Sequence, residues 1–433
     1  MTVHDNLVCP FCGCCCDDLK VEVVDNQIVS IENACVLGRS KLEACDADRY
    51  TTPMWYEGGV LQETSLDEAV DWVAKTLIRS SYPLLYGWSS TSCEAIKLGI
   101  ELAEEVGGVC DNTTTVCHGP SIQGVHDVGE VATTLGTVRH RADLVVYWGC
   151  NPVHAHPKHM SRYSLFPRGR FVRRRSERRL IVVDPRRTDT ARIADEFVQI
   201  QPGSDYEVIS ALRMAVRNEE IEASEVGGVP VERIEGLADM MTGCRFGIIF
   251  FGLGLTMSDG KNRNIDAAIS LVRDLNARTK FLIMPMRGHF NVSGANIVST
   301  WQTGYPFAVD FSRGYPYYNP GETSAVDLLS RGDCDAVLVV ASDPVANFPA
   351  AAVRNLVKVP FAVIDPHKSA TSACACVTIP SAFVGIEAEG TTYRMDGVPL
   401  PLRKVVEPPK GVKTDEEILR AILRRVRELK GGG

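Results

Sequence analysis

Apolar and polar residues alternate through residues 19–31, on both sides of the polar pair Asp25-Asn26. A period of two places successive side chains on opposite faces of a strand, and an Asp-Asn pair favours a tight turn. The pattern therefore predicts a β-hairpin that returns the chain to Cys35.

The period then becomes helical. Residues 65–68 read Ser-Leu-Asp-Glu, which has the form of a capping box, and apolar residues recur at helical spacing from Ala69 to Leu77. A buried strand follows at residues 83–88 and a second helix at residues 94–106. Strands and helices continue to alternate, which predicts an α/β fold with doubly wound, Rossmann-like parallel sheets.

One pattern occurs twice in the chain. Residues 142–153 align with residues 334–345, and each segment leads to a second strand that ends in Asp-Pro, at Asp184 and at Asp365. Matched strands with matched terminal turns indicate a duplicated nucleotide-binding unit and hence two pseudo-symmetric domains. Chance similarity among α/β strands is the alternative explanation.

The copies differ by an insertion, residues 168–179, which carries seven arginines. A charge run of this kind is usually a solvated loop, and the alternative is a docking surface for an acidic partner subunit. The length of the chain predicts several domains. Their expected ranges are an N-terminal cap at 1–53, a first α/β dinucleotide-binding domain at 54–235, a second at 236–410, and a C-terminal helix and tail at 411–433.

Composition adds the cellular context. The 433 residues carry a formal net charge of −8 without a long basic tail, which argues against nucleic-acid binding. No run of about 18 apolar residues is present, so no membrane span is expected. The chain has fifteen cysteines, and the first, at position 9, leaves no room for a leader peptide. We expect a soluble cytoplasmic protein whose cysteines bind metal.

The cysteines at the start of the chain form a ladder. Cys9, Cys12 and Cys16 have the spacing C-x2-C-x3-C, and Cys35 returns after the hairpin. Four soft thiolates at one point are the ligands of a [4Fe–4S] cluster. A zinc site usually has two paired C-x2-C knuckles, and the second is missing here. Zinc and unligated thiols remain alternatives, and Cys14 or Cys15 could replace Cys16.

Polar and glycine-containing turns follow the predicted strands. In α/β sheets ligands bind beyond the carboxyl ends of the strands, which directs attention to the turns at residues 149–152, 184–188, 252–254, 285–289, 343–347 and 365–369. Glycine lets main-chain amides approach phosphate, and carboxylates such as Asp184, Asp205 and Asp365 can accept hydrogen bonds from guanine. No G-x-G-x-x-G motif follows the first strand, which disfavours ordinary NAD binding.

Two further motifs could carry chemistry. Taken alone, Cys117 would be a small buried hydrophobe and His118 a loop histidine with satisfied hydrogen bonds. Next to a cluster and two nucleotide units, they become a candidate metal ligand and proton carrier. Arg287 ends a predicted strand and suits an anionic substrate.

With these motifs in place, the chain resembles the molybdenum/tungsten bis-pterin oxidoreductases, the superfamily of formate dehydrogenase and dimethyl sulfoxide reductase. Within that superfamily it looks closest to the B subunits of formylmethanofuran dehydrogenases. The resemblance covers nearly the whole chain. It is carried by the cysteine ladder and by residues 65–69, 117–118, 149–152, 184–186, 201–205, 286–292 and 389–391.

The resemblance implies two molybdopterin guanine dinucleotides, one on each repeat, whose sulfurs bind one tungsten or molybdenum ion together with Cys117. It places His118 and Arg287 beside that metal as catalytic residues, and a [4Fe–4S] cluster on the cysteine ladder. The implied cofactor-binding residues are Gly149, Asn151, Asp184, Arg186, Thr188, Gly203, Asp205, Gly252, Gly254, Gly288, Asp343 and Asp365.

The resemblance also implies a reaction and partners. The reaction would be reduction of CO2 to formate, with electrons from ferredoxin-like subunits and transfer of formate to an amidohydrolase-like subunit. Full-length relatives have a C-terminal β-barrel domain that is not expected here, and a small dinucleotide-capping subunit would replace it. The alternatives are a formate dehydrogenase catalytic subunit and a non-catalytic electron-transfer scaffold. Tungsten and molybdenum are not distinguished, because both take the same ligands.

Overall fold

The computed structural model describes residues 1–58 and 60–431. The last two residues of the predicted C-terminal tail lie outside the described residues. No helix in the described part of the chain is long and apolar enough to cross a membrane.

The structure is a mixed α/β fold. Its strands are β1 Thr2–Leu7, β2 Leu19–Val24, β3 Gln27–Glu32, β4 Met54–Glu57, β5 Val60–Glu63, β6 Pro83–Gly87, β7 Val109–Asn112, β8 Leu144–Trp148, β9 Arg179–Asp184, β10 Glu196–Gln199, β11 Glu225–Val226, β12 Val229–Pro230, β13 Phe246–Phe251, β14 Lys280–Pro285, β15 Val309–Asp310, β16 Tyr317–Tyr318, β17 Ala336–Val340, β18 Phe361–Asp365, β19 Val377–Pro380, β20 Gly390–Tyr393 and β21 Pro399–Leu402.

Helices connect most of these strands. They are α1 Val36–Glu43, α2 Leu66–Arg79, α3 Cys93–Val106, α4 Gly119–Val128, α5 Leu135–Arg141, α6 Pro152–Ala155, α7 Asp189–Arg192, α8 Asp205–Val216, α9 Val231–Thr242, α10 Leu253–Thr256, α11 Asn262–Leu275, α12 Val292–Thr303, α13 Ala325–Arg331, α14 Pro344–Asn347, α15 Ala350–Leu356 and α16 Asp415–Gly431. Short 3-10 turns lie at Thr113–Val116, Arg175–Glu177 and Ser372–Cys374, and a π-helical turn lies at Met160–Ser164.

The first predicted elements are confirmed. Strands β2 and β3 form an antiparallel hairpin, and both of its turn residues, Asp25 and Asn26, have positive φ, as a two-residue hairpin turn requires. At the start of α2, Ser65 and Glu68 exchange side-chain-to-backbone hydrogen bonds, which is the predicted capping box.

The chain divides into two compact units. Unit 1 contains residues 1–116, 289–394 and 399 onwards, and unit 2 contains residues 117–288 and 395–398. These boundaries differ from the continuous ranges 54–235 and 236–410 that the sequence suggested. The physical reason is strand pairing: β17 pairs in parallel with β6, so the two ends of the chain build one sheet and the segment between them folds as the other unit.

Each unit has a parallel five-stranded sheet. In unit 2 the order is β10-β9-β8-β13-β14, with helices α8, α9 and α11 packed on one face. In unit 1 the corresponding strands are β19-β18-β17-β6-β7, and shorter antiparallel strands extend this sheet at both ends. The central strands β8 and β17 belong to the two aligned sequence segments, so the internal repeat is present in the fold.

The same side-chain hydrogen bond follows each central strand. In unit 2, Asn151 Oδ1 accepts from Thr190 Oγ1 at 2.6 Å. In unit 1, Asp343 Oδ1 accepts from Thr371 Oγ1 at 2.6 Å. Each bond ties the turn after the central strand to the segment that follows the neighbouring strand, so the repeated sequence pattern corresponds to repeated geometry.

Two helical glycines give a matched test of packing. A Cβ on Gly99 in α3 would lie 2.2 Å from the Trp88 ring, whereas a Cβ on Gly236 in α9 would meet nothing within 4 Å. Gly99→Ala should destabilise its unit by about 1–3 kcal/mol through overpacking, and Gly236→Ala should stabilise its unit by about 0.5–1 kcal/mol. Differential scanning fluorimetry measures both. A Gly99→Ala variant that melts no lower than the parent protein would contradict the described packing.

Candidate functional site

The N-terminal cysteines of unit 1 lie close together. Cys9 N donates to Cys16 O at 2.9 Å, which closes the loop that contains Cys12. Cys35 caps α1, and its Sγ accepts from Gly38 N at 3.4 Å. A Cβ on Gly38 would lie 3.3 Å from Cys9 Sγ and 3.7 Å from Cys35 Sγ, so both sulfurs flank this glycine.

The electrostatics of these thiols indicates the same grouping. Burial raises the pKa of Cys9 well above its ordinary value, and the neighbouring Cys12, Cys16 and Cys35 raise it further. A hydrogen bond with Cys14 is the largest cause that lowers the pKa of Cys12, and Lys41 adds to it. Within residues 1–58 and 60–431, no three His, Cys, Asp or Glu side chains converge on the position of a single metal ion.

Cys15 contacts both this group and the core, because its Sγ lies 3.6 Å from Cys12 O and closer still to a core carbonyl. Its Sγ donates to Phe290 O at 3.2 Å, and the side chain packs in an apolar cluster with Val8 and Leu402. Burial raises the pKa of Cys15 well above its usual range. A thiol with these surroundings behaves as a core residue.

In unit 2, Cys117 precedes helix α4 and is half-buried. Thr256 Oγ1 donates to the carbonyl of Cys117 at 3.0 Å. Burial raises the pKa of the Cys117 thiol to about 11, while the Arg287 charge and the Gly288 N–H act in the opposite direction. Cys117 is therefore a half-buried thiol beside a cation, Arg287, that favours its thiolate form.

His118 is fully buried and uses both ring nitrogens. Nδ1 lies 2.9 Å from Ser121 Oγ, and Nε2 lies 3.3 Å from Met286 O. Because a carbonyl can only accept, Nε2 must carry the proton and Nδ1 accepts from the serine. Burial, together with the Arg287 charge, lowers the pKa of His118 to about 3, so the ring is neutral.

His156 is a residue of this site that sequence reasoning missed. Its Nε2 donates to Arg287 O at 2.8 Å, and burial lowers its pKa. Two neutral imidazoles, His118 and His156, therefore hold the successive carbonyls of Met286 and Arg287. The sequence signal was the cluster of histidines in residues 154–159, which follows the turn at Asn151.

Arg287 itself is half-buried at the end of β14, while Gly288 beside it is exposed. Burial lowers the pKa of the guanidinium, and the nearby Glu130 and Cys117 raise it. Burial also raises the pKa of Glu130, while Arg287 lowers it. A partly buried cation with an accessible neighbouring backbone is a suitable position for a small anion.

The predicted glycines Gly149, Gly252 and Gly254 contact one another. A Cβ on Gly149 would lie 2.7 Å from Leu255 N, and a Cβ on Gly254 would lie 2.6 Å from Gly149 Cα. Gly254 N also donates to Gly149 O at 2.9 Å. The need for glycine at these positions thus follows from the close approach of two turns, independently of any phosphate.

Two predicted carboxylates of unit 2 are neighbours at the ends of the strands. Asp184 Oδ1 accepts from Arg186 N at 2.8 Å, and Asp205 Oδ1 accepts from Trp148 Nε1 at 2.8 Å. Burial raises the pKa of both groups, and the Asp184 charge raises that of Asp205 further. The Arg186 side chain is exposed.

Two more predicted residues of unit 2 shape its turns. Thr188 Oγ1 caps α7 by accepting from Ala191 N at 3.2 Å. Gly203 has a φ of 84°, a left-handed conformation that favours glycine. Both positions therefore have a structural reason for their residue type.

Unit 1 contains a similar acidic pair, Asp365 and Asp415, of which the sequence predicted only Asp365. Asp365 Oδ1 accepts from His367 N at 2.8 Å, and burial raises its pKa to about 7, with Asp415 and Asp343 adding to the shift. Asp415 is the first residue of α16, as Asp205 is the first residue of α8. Thr91 Oγ1 donates to Asp415 Oδ2 at 2.5 Å. The shared hydroxyl-Asp start of both helices was the available signal.

Known proteins resemble this chain along nearly its whole length. The family described as molybdopterin oxidoreductase matches residues 49–425. The chain is 52% identical over 428 residues to the B subunit of tungsten-containing formylmethanofuran dehydrogenase 2 from Methanocaldococcus jannaschii, covering 98% of each chain. It is 49% identical to the protein of the same name from Methanococcus maripaludis, covering 99% of this chain and all of the relative.

A solved structure has a similar fold. It belongs to the formyltransferase/hydrolase complex (FhcABCD) from Methylorubrum extorquens in complex with methylofuran, with a TM-score of 0.70 and 23% identity. The match covers 88% of this chain and 100% of that chain. At this identity the similarity supports the fold alone.

The Arg287 charge should control the reactivity of Cys117. In the protein freed of bound cofactors, Arg287→Met should raise the pKa of the Cys117 thiol above its value in the parent chain. The substitution removes a cation that favours the thiolate. Alkylation of Cys117 by iodoacetamide at pH 8.5 should then slow by roughly three- to tenfold. Peptide mass spectrometry follows this one thiol.

Two control variants accompany this test. Arg287→Lys should largely preserve the rate, because it keeps the charge. Arg186→Met, which removes an exposed arginine of the same unit, should leave the rate unchanged. Equal rates for Arg287→Met and the parent chain would show that Arg287 does not act on the thiol.

Proposed function

We propose that this chain, which belongs to the molybdopterin oxidoreductase family and, within it, to the B subunits of formylmethanofuran dehydrogenase, is the redox subunit that reduces CO2 to formate. The observation that carries this proposal is the 52% and 49% identity, over nearly the full length of both chains, to tungsten-containing enzymes of that name. The matches cover 98% and 99% of this chain.

The residues present fit a tungsten–pterin group. When bound, that group supplies the two-electron chemistry of the reaction. Cys117 would hold the metal as a thiolate, because Arg287 favours the ionised form and a metal ion favours it further. Burial of the thiol protects it from competing reactions.

Arg287 would bind the carboxylate product. A half-buried guanidinium forms charge-assisted hydrogen bonds to carboxylate that contribute roughly 1.5–3 kcal/mol. The main chain of Arg287 is held through its carbonyl by His156, and that of Met286 by His118. These two histidines would fix the direction of the guanidinium.

His118 was expected to carry a proton, and its surroundings favour a positioning role. Both ring nitrogens are occupied, and burial lowers its pKa to about 3. Proton transfer through this ring would require one of the two hydrogen bonds to break. We therefore assign His118 to orienting the turn at residues 286–288.

Each unit would hold one pterin guanine dinucleotide. The supporting observation is that each contains an acidic pair at its strand ends, Asp184 with Asp205 and Asp365 with Asp415, of which all but Asp365 are buried. Such carboxylates can accept hydrogen bonds from the amine and imide of guanine. Exposed Arg186 offers a forked donor to phosphate in unit 2.

The N-terminal cap would hold a [4Fe–4S] cluster on Cys9, Cys12, Cys16 and Cys35. The Cys9–Cys16 hydrogen bond and the position of Gly38 between the sulfurs of Cys9 and Cys35 support this grouping. The hydrogen bond from Cys15 to the Phe290 carbonyl argues against Cys15 as a ligand. A zinc site usually has two paired C-x2-C knuckles, and the second is missing here. A cubane spreads its four thiolates over four irons.

The chain would act inside a cytoplasmic multi-subunit complex. The relatives are named as B subunits, and the similar solved structure comes from a formyltransferase/hydrolase complex. We infer partners that deliver electrons, which would be ferredoxin-like, and a partner that consumes formate, which would be amidohydrolase-like. A further small protein of the complex would cover the dinucleotides.

Substitution of single cysteines separates ligands from core residues. Cys16→Ser should remove or convert the cluster, so that the anaerobically purified complex loses the part of its visible absorption and of its iron that belongs to this one cluster. Cys15→Ser should keep both, because that thiol contacts Phe290 and the apolar core. Iron analysis and the electron paramagnetic resonance of the reduced protein measure the difference. The opposite result would exchange the roles of the two residues.

CO2 reduction tests the proposed activity. In the complex, Cys117→Ala should lower CO2-dependent formate production by at least about a hundredfold, because the metal loses its protein ligand, while the iron–sulfur spectrum stays unchanged. Cys110→Ala, which removes a buried core thiol of unit 1, serves as the control and should keep most of the activity. Full activity in Cys117→Ala would exclude the proposed role of that residue.

A further inference from the structure

The arginine-rich insertion at residues 168–179 is a packed part of unit 2. Arg178 is buried, and its guanidinium donates hydrogen bonds to five main-chain carbonyls, those of Arg139, Ala142, Ser164, Pro167 and Val172. Nη1 donates to two of these carbonyls and Nη2 to the other three, so carbonyls hold this cation without a carboxylate. Arg178 therefore anchors the insertion to α5 and the π-helical turn.

Main-chain contacts also fix the tip of the insertion. Phe171 N donates to His140 O at 3.1 Å, and Arg170 N donates to His140 Nδ1 at 3.0 Å. A Cβ on Gly169 would lie 2.3 Å from Arg139 O, which requires glycine at this close approach. The side chains at the tip are thus presented by an ordered backbone.

Those side chains are basic and lack acidic partners. Arg168, Arg170, Arg173 and Arg174 are exposed, and in the described part of the chain none of them forms an ion pair. The nearby acids are already engaged: Glu177 accepts from Arg173 N at 2.9 Å, and Asp195 pairs with Arg175 at 2.8 Å. A chain with a net charge of −8 therefore carries a local excess of positive charge here.

An exposed aromatic ring lies among these cations. Phe171 is 51% exposed, and the guanidiniums of Arg141 and Arg170 lie 4.3 and 5.6 Å from its ring centroid. Beside it is a groove of about 490 Å³, lined by Phe171, Val172 and Phe246 and flanked by Lys280. An apolar centre with a charged rim, rich in arginine and aromatic side chains, is the usual composition of a protein-binding hot spot.

We propose that this basic-aromatic surface, defined as Arg141, Arg170, Phe171, Arg173, Arg174 and Lys280, docks an acidic segment of a partner subunit. Carboxylates of that segment pair with the arginines, and one of its apolar side chains fills the groove. A protein is favoured over nucleic acid because the groove is apolar and the net charge of the chain repels a long polyanion. The inference rests on the proposed function in one respect: the partner belongs to the same complex.

Charge reversal tests the electrostatic half of this inference. The complex is purified anaerobically through a tag on this chain, and its subunits are quantified by mass spectrometry. The double variant Arg170→Glu/Arg173→Glu should lower the amount of one subunit that co-purifies with this chain at least tenfold. The double variant Arg170→Lys/Arg173→Lys keeps the positive charge and should retain that subunit. The matched control, Arg354→Glu/Arg424→Glu, changes the net charge equally at exposed residues of unit 1 and should retain all subunits.

Two further measurements identify the contact. Phe171→Ser should weaken binding of the same subunit. The control Phe166→Ser should not, because Phe166 has the same 51% exposure but does not line the groove. Carbodiimide should cross-link Lys280 to an Asp or Glu of that subunit. Retention of every subunit by both Arg170→Glu/Arg173→Glu and Phe171→Ser overturns the inference, as does loss of the effect after nuclease treatment.

The failure of this inference is distinguishable from failure of the proposed function. CO2-dependent formate production with an artificial reductant tests the function without the docking surface. An inactive parent complex that still loses a subunit on charge reversal would refute the function and keep the docking site. An active complex that keeps all its subunits after charge reversal would support the function and refute the docking site.

Discussion

The side-chain hydrogen bonds Asn151–Thr190 and Asp343–Thr371 are the constraint on which both candidate nucleotide sites depend. Each fixes the turn at the carboxyl end of a central parallel strand, where the backbone leaves the sheet. With those turns fixed, the last carboxylate of the neighbouring strand lies near the first residue of a later helix, which is Asp205 in unit 2 and Asp415 in unit 1. The same arrangement built twice accounts for the proposed requirement for two similar ligands.

The proposed chemistry depends on buried thiols and a partly buried arginine, whose charged forms are unfavourable without a bound metal or anion. Burial and the neighbouring thiols raise the pKa of Cys9, and Arg287 keeps its charge in a partly buried position. Metal ions would stabilise thiolates, and an anionic substrate would offset the cation. The neutral histidines His118 and His156 complete this arrangement, because they hold the arginine turn without adding a further positive charge.

Local sequence signals predicted local structure well. The hairpin at Asp25-Asn26, the capping box at Ser65 and the repeated strand pairs follow from short-range chemistry that the chain carries in contiguous residues. The alternation of the two units could not be predicted, because pairing of β17 with β6 joins residues far apart in sequence. For the same reason the sequence does not reveal that His156 and Asp415 belong to the sites. The glycines predict access for phosphate, whereas the structure shows that Gly149 packs closely on Gly254.

The central claim is that each unit holds one guanine dinucleotide and that the pair shares a single tungsten ion. Acid release of guanosine monophosphate from the anaerobically purified complex, with tungsten measured on the same sample, tests this claim most directly. The account predicts two guanine nucleotides for each tungsten and each copy of this chain. A metal-replete complex that releases one guanine nucleotide per chain, or none, would contradict it.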